Sequence, residues 1–277
     1  MKKALILDLD NTLYNWMDAY ANSFREQTIF LCKSLDVKED VILRDFKNIF
    51  KKYNSVEVPN AVYQLSIWNT CNLSEQESKY IQEKSLKIFL ESWKKNIKLF
   101  PKVEEALNWA RDLGFLIFAY SDAFAFWIDF RLSTLNIQKY FDNIFAMTDN
   151  KISDSDIVIN SERHCEITFV DPSEMKPNTL ILRRILDEYE IKKEHAYFVG
   201  DSKTKDIRTA RQIGICDIWA KYGLKYKREN GRLLSRITPW KKGIGGVNEL
   251  REKTIPTYTI QSFDEIMNII AHTDKEF

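Results

Sequence analysis

The chain has 277 residues, 44% hydrophobic and 29% charged, which allows a substantial core and excludes a disordered protein. A net charge of +1 removes any general electrostatic case for nucleic acid or a membrane surface. Cys32, Cys71, Cys165 and Cys216 form no Cys-x-x-Cys pair, which predicts buried thiols in a reducing compartment, and His164 beside Cys165 lacks the second ligand pair of a zinc site.

Lys2 and Lys3 precede apolar residues, as in a signal peptide, but Asp8 and Asp10 break that run. No stretch of about 18 apolar residues marks a membrane span, so the expected location is the cytoplasm. Leu5-Ile6-Leu7-Asp8-Leu9-Asp10-Asn11-Thr12-Leu13 reads as a buried parallel strand that runs out into two carboxylates. Ligands bind at the carboxyl ends of strands in open α/β sheets. The same residues also suit an ordinary Asp/Asn turn.

Helical spacing of apolar residues follows over 16–34, 39–52, 60–69 and 74–94, the last opened by a capping box at Ser74 and Glu77. From Phe100-Pro101 the pattern changes. A helix with Pro at its first position runs to about 112 and is stopped by Gly114. Strands are predicted at 115–120, 144–147, 195–199 and 215–220, with helices at 124–135, 178–189, 203–213 and 263–271. Such alternation predicts a Rossmann-like, doubly wound parallel sheet of class α/β. The core spans 1–14 and 99–277, and residues 15–98 form a helical cap domain inserted after the first strand.

Two stretches fit neither pattern. Residues 150–175 are polar, with a possible hairpin of 157–160 and 166–170. Residues 221–253 hold ten Lys or Arg against three Glu, a local balance of +7 that leaves −6 for the rest. With Gly231, Gly243, Gly245, Gly246, Tyr222, Tyr226 and Trp240, this reads as a mobile basic loop, either a solvated face or a contact for an anionic substrate or acidic partner.

Four boundaries carry polar groups: Asp8, Asp10 and Thr12; Ser121 and Asp122; Lys176 just before a helix; and Gly200-Asp201-Ser202 with Asp206. Singly these are turns, caps and a surface lysine. In this order, over nearly the whole core, they resemble the haloacid dehalogenase-like hydrolase superfamily, phosphatase type, with a helical cap after the first motif.

The resemblance implies a Mg²⁺-dependent phosphatase acting through an aspartyl-phosphate. Asp8 is then the nucleophile, and Asp10 protonates the leaving alcohol and later deprotonates water. Asp8, the Asp10 backbone carbonyl and Asp201 are the implied metal ligands. Asn11, Thr12, Ser121, Asp122 and Lys176 are implied to bind phosphate, with Ser202 and Asp206 behind them. A phosphoryl group facing carboxylates needs a hard cation, and Mg²⁺ suits one or two carboxylates plus phosphate. Dehalogenases and phosphonatases lack an acid at position 10, so phosphate-ester chemistry is favoured. A phosphomutase keeps both acids and stays open, as does a non-catalytic binding protein on this fold.

The implied substrate is a small phosphorylated metabolite, such as a nucleoside monophosphate or a sugar phosphate. Tyr53, Trp68 and Trp93 are expected to be core residues of the cap rather than a base-stacking surface. The chain departs from the family pattern at Lys102, where Gly is usual, and in the two segments 150–175 and 221–253.

Overall fold

The computed structural model describes residues 1–58, 60–149, 166–239 and 247–273. Strand β1 (Lys3–Leu7) is buried from Ala4 onward, because both faces of a central parallel strand are covered. It lies between β2 (Phe115–Phe124) and β5 (Ala196–Gly200) in a seven-stranded sheet of order β4-β3-β2-β1-β5-β6-β7, every pairing parallel. The remaining strands are β3 (Asn143–Met147), β4 (Ile167–Val170), β6 (Cys216–Ala220) and β7 (Tyr258–Ile260). The chain steps from β1 outward to β4, then returns to the other side of β1 at β5. That reversal makes the ends of β1 and β5 the switch point, where an open α/β sheet leaves a crevice.

Between β1 and β2 come α1 (Trp16–Leu35), α2 (Glu39–Tyr53), α3 (Glu75–Asn96) and α4 (Val103–Asp112). Helix α1 packs along α3. Ser74 caps α3 with the reciprocal Ser74–Glu77 bonds that the sequence predicts. Trp93 is fully buried and stacks on Trp127 at 4.7 Å, with Tyr20 and Phe89 edge-on to it. Aromatic pairs of this kind add about 0.5–1.5 kcal/mol beyond the area they bury. Trp68 donates to the Val62 carbonyl and Tyr53 to Gln64, so all three rings that were candidates for base stacking are engaged within the protein.

The later helices are α5 (Ala125–Leu135), α6 (Leu180–Glu188), α7 (Arg208–Ile213), α8 (Arg228–Ile237), α9 (Val247–Arg251) and α10 (Glu265–Thr273). Several expectations change. Residues 60–69 form two 3₁₀ turns, Ala61–Gln64 and Ser66–Asn69, broken by extended Leu65. The buried Asp45 carboxylate accepts from Ser66 Oγ and Ile67 N there, and so takes over the start of the second turn. Pro101 lies outside α4 because Lys102 adopts φ +63°, the left-handed region that glycine occupies most readily. The segment 203–213 opens with a π turn, Lys203–Ile207, before α7. The half of the expected hairpin at Ile167–Val170 instead extends the sheet beside β3, and 157–160 lies outside the described residues. Cys32, Cys71 and Cys216 are free and half-buried rather than buried.

The basic segment changes most. Where a mobile loop was expected, Lys221–Leu224 is a 3₁₀ turn, and α8 lies against α1 and α2. Its Leu233, Leu234 and Ile237 are buried, one apolar stripe at helical spacing that the high charge concealed. Trp240, Gly243, Gly245 and Gly246 lie outside the described residues. No described helix is long and apolar enough to cross a membrane.

Candidate active site

Asp8 follows β1 directly and is buried, its N–H bonded to the Val199 carbonyl of β5. One carboxylate oxygen, Oδ2, accepts from Thr12 Oγ1 at 2.9 Å; the other, Oδ1, meets Lys176 Nζ at 2.6 Å. Lys176 also donates to the Tyr120 carbonyl at 3.0 Å and pairs with Asp206 Oδ1 at 2.7 Å. Its ammonium therefore sits between two carboxylates, which hold it well above the ordinary lysine range despite burial.

Asp201 stands at the end of β5. One carboxylate oxygen each from Asp8, Asp201 and Asp206 lies within 4.8 Å of the others. Burial and mutual repulsion push Asp201 well above the usual carboxylate range and Asp206 up to about 7. Gly200 permits this crowding, since a Cβ there would lie 2.3 Å from Asp206 Cγ. Two buried carboxylates and the half-buried Asp201 against one lysine leave a surplus of negative charge and an all-oxygen donor set, which fits a hard divalent cation such as Mg²⁺.

The other sequence candidates have definite places. Asn11 takes φ +59°, and its Oδ1 accepts from Met17 N at the start of α1. Thr12 is buried and donates its hydroxyl to Asp8. Ser121 is buried within β2, beside an irregular register with β3 between Tyr120 and Phe124, and its Oγ accepts from Ala123 N. The Asp122 carboxylate accepts from Lys176 N at 3.1 Å and Lys205 Nζ at 2.8 Å, so its side chain fixes the lysine's loop. Ser202 Oγ caps the π turn by accepting from Lys205 N.

Asp10 has a partner that the sequence did not announce. Arg131 on α5, fully buried, reaches its Oδ1 at 2.6 Å and Oδ2 at 2.7 Å through Nη1. The other guanidinium nitrogen, Nη2, pairs with Glu57, which lies between α2 and α3. Burial and the nearby Asp8 raise the Asp10 pKa, and Arg131 opposes them. The sequence signal for Arg131 was weak but present: a lone arginine in Ala125–Leu135, four residues after Trp127 on a mostly apolar helix whose other charged residue is Asp129.

Three more unexpected contacts come from residues after 220. Tyr222 donates to the Thr12 carbonyl at 2.5 Å. Gly223 presses on the same loop, where a Cβ would lie 1.9 Å from the Asn11 carbonyl oxygen. Glu249 on α9 accepts from Ser202 Oγ, Thr204 Oγ1 and the Lys203 and Thr204 amides, closing the start of the π turn.

Comparison with known proteins follows the same lines. Residues 2–214 match the family model for haloacid dehalogenase-like hydrolases. A 2-haloacid dehalogenase from Pseudomonas syringae pv. Tomato DC3000 shares the fold at TM-score 0.59 and 17% identity, covering 98% of this chain and 99% of its own. A HAD phosphatase from Thermococcus onnurineus aligns at TM-score 0.56 and 18% identity over 98% of both chains. The Bacillus subtilis protein YfnB, in a magnesium-bound form, aligns at 0.54 and 15% identity over 98% of this chain and 100% of its own. No curated protein matches the sequence.

Proposed function

This chain belongs to the haloacid dehalogenase-like hydrolases, and from that premise we propose that it is a phosphatase of small phosphorylated metabolites. The observation that carries this reading is the cluster of Asp8, Asp201 and Asp206 around Lys176. Displacing a halide needs one carboxylate and neither a cation nor an acid. A dianionic phosphate needs balancing positive charge, and its alcohol must leave with a proton.

Asp8, Asp201 and the Asp10 backbone carbonyl would hold Mg²⁺, with Asp206 beside them. When bound, the cation neutralises charge on the phosphoryl oxygens. An Asp8 carboxylate oxygen attacks phosphorus, the ester P–O bond breaks, and Asp10 gives its proton to the departing alkoxide. Water then attacks the aspartyl-phosphate and returns a proton to Asp10. Lys176 opposes the charge that develops on the phosphoryl oxygens and orients Asp8, while Thr12 fixes the other Asp8 oxygen. Ser121 supplies a hydroxyl to the phosphate. Asp122 positions Lys176 through its backbone.

Residues 15–98 act as the cap over this site and choose the leaving group. Asp8 is only 7% exposed and Lys176 only 6%, and parting of those helices from the sheet would open the site to substrate. The YfnB structure supports magnesium as the resident ion by fold alone.

The test is phosphate release from a panel of nucleoside monophosphates, sugar phosphates and an aryl phosphate, with and without Mg²⁺, using Asp8→Asn as the blank. Magnesium-dependent release lost in Asp8→Asn supports the reading. Halide release from a haloacid, or turnover retained in Asp8→Asn, overturns it. Isomerisation of a sugar phosphate with little free phosphate would point to a mutase.

A further inference from the structure

We propose that Arg131 is the positioning residue for Asp10 and that Glu57 keys it to the seating of the inserted helices. This inference rests on the phosphatase reading and deepens it.

Arg131 is fully buried, and its charge has no route to water. Such a residue is retained only where carboxylates meet it, because the desolvation cost of an unpaired guanidinium is several kcal/mol on the order-of-magnitude scale. Here it meets two, from different parts of the chain. Asp10 belongs to the loop after β1, and Glu57 to the segment between α2 and α3. The Trp93 ring lies 5.1 Å beneath the guanidinium and fixes its plane.

Glu57 is equally constrained. Trp16 Nε1 donates to its carboxylate at 2.6 Å, and Trp127 Nε1 donates to its carbonyl at 2.9 Å. Trp127 and Arg131 sit four residues apart on α5, so one helix face grips Glu57 by both backbone and side chain. Separation of the inserted helices from α5 therefore breaks the Glu57 bonds to Trp127 and Arg131 together, while Trp16 on α1 keeps its own, and leaves Arg131 attached to Asp10.

The contact with Asp10 is of a particular kind. One nitrogen spans both carboxylate oxygens, at 2.6 and 2.7 Å. When Asp10 carries its proton, one oxygen keeps the arginine and the other is free to donate. Arg131 thus sets where that proton points without touching the reacting atoms.

The discriminating readout is the leaving group. Protonation matters greatly for an alkoxide and little for a nitrophenolate, so loss of acid alignment penalises only the former. Kinetics of Glu57→Gln and Arg131→Lys on glycerol phosphate and 4-nitrophenyl phosphate should show kcat for the alkyl ester falling ~10–100-fold. The aryl ester should stay within about threefold, and KM should barely move, because neither residue contacts substrate. Asp10→Asn should show the same selectivity in stronger form.

Equal losses on both esters would make the role structural and overturn the proposal, as would no loss on either. Inactivity of the unmodified enzyme on every ester would remove the phosphatase reading. A crystal structure of Glu57→Gln would then still decide the positioning claim. Asp10 displaced from Arg131 supports it, and Asp10 unmoved sinks it.

Discussion

Gly223→Ala is the sharpest single perturbation of this molecule. Gly223 does not occupy a left-handed backbone, so alanine is conformationally acceptable there. The difficulty is space. The new Cβ would stand 1.9 Å from the Asn11 carbonyl oxygen, where real Cβ atoms keep at least 3.0 Å, so the gap must widen by about 1.1 Å. The obstacle is backbone, in the loop between Asp8 and Thr12, and it cannot rotate aside. On the 222 side, the turn is held by the Tyr222–Thr12 bond. Overpacking of this kind costs about 1–3 kcal/mol, equivalent to a Tm lower by about 2–5 °C in a chain of this size. A misplacement of ~1 Å near the reacting groups costs about 100-fold in rate. We therefore expect kcat on 4-nitrophenyl phosphate to fall ~100-fold, with far-ultraviolet circular dichroism unchanged. A variant with native kcat and native Tm would show that residues 222–223 do not buttress the loop.

Other outcomes follow from the same geometry. Asp8→Asn should bind vanadate weakly or not at all, and a crystal of the parent enzyme with beryllium fluoride should carry the anion on Asp8; an anion bound elsewhere would refute the site. Asp206 holds a proton up to about 7 in the folded chain against an ordinary 3.8, so between those values the folded state binds more protons than the unfolded one. Metal-free protein should thus lose stability as pH rises through that window, and the Tm gain from Mg²⁺ should be larger at pH 8 than at pH 5; equal gains would deny that the cation compensates these carboxylates. Glu249→Ala strands two amides at the start of the π turn and should cost about 1–3 kcal/mol by chemical denaturation, with weakened Mg²⁺ affinity by calorimetry. Arg236→Ala removes pairs with Glu39 and Asp40 but is 44% exposed, so a loss above about 1 kcal/mol, or one insensitive to salt, would contradict its placement.

The parallel sheet and the inserted helices were legible because both rest on long periodic patterns. Buried strands read as apolar runs, and α1 to α3 read as stripes. The polar groups at three boundaries were legible for a related reason, since each ends such a run, and Lys176 was legible by its place just before a helix. What escaped depends on distance in sequence. Arg131 was the lone arginine of a mostly apolar helix, yet its meaning required Asp10 and Glu57, 121 and 74 positions away. Helix α8 was hidden because its charged residues outnumber its apolar ones, while three apolar side chains suffice to dock it on α1 and α2. One cation of the basic segment, Arg236, pairs within the chain, with Glu39 and Asp40. Asn11 and Thr12 entered through the family resemblance, and only geometry reveals that one side chain holds a helix start and the other the Asp8 carboxylate.

The bond from Tyr222 to Thr12 joins residues 210 positions apart. A ribosome delivers Asp8 and Asp10 some 210 residues before the turn that braces their loop. Closing so long a loop is entropically costly and belongs to the late contacts of folding. Asp8 therefore waits on its brace. A nascent or proteolytically shortened chain that ends before residue 222 keeps every acid, the serine and the lysine of the site, yet holds its first loop unsupported.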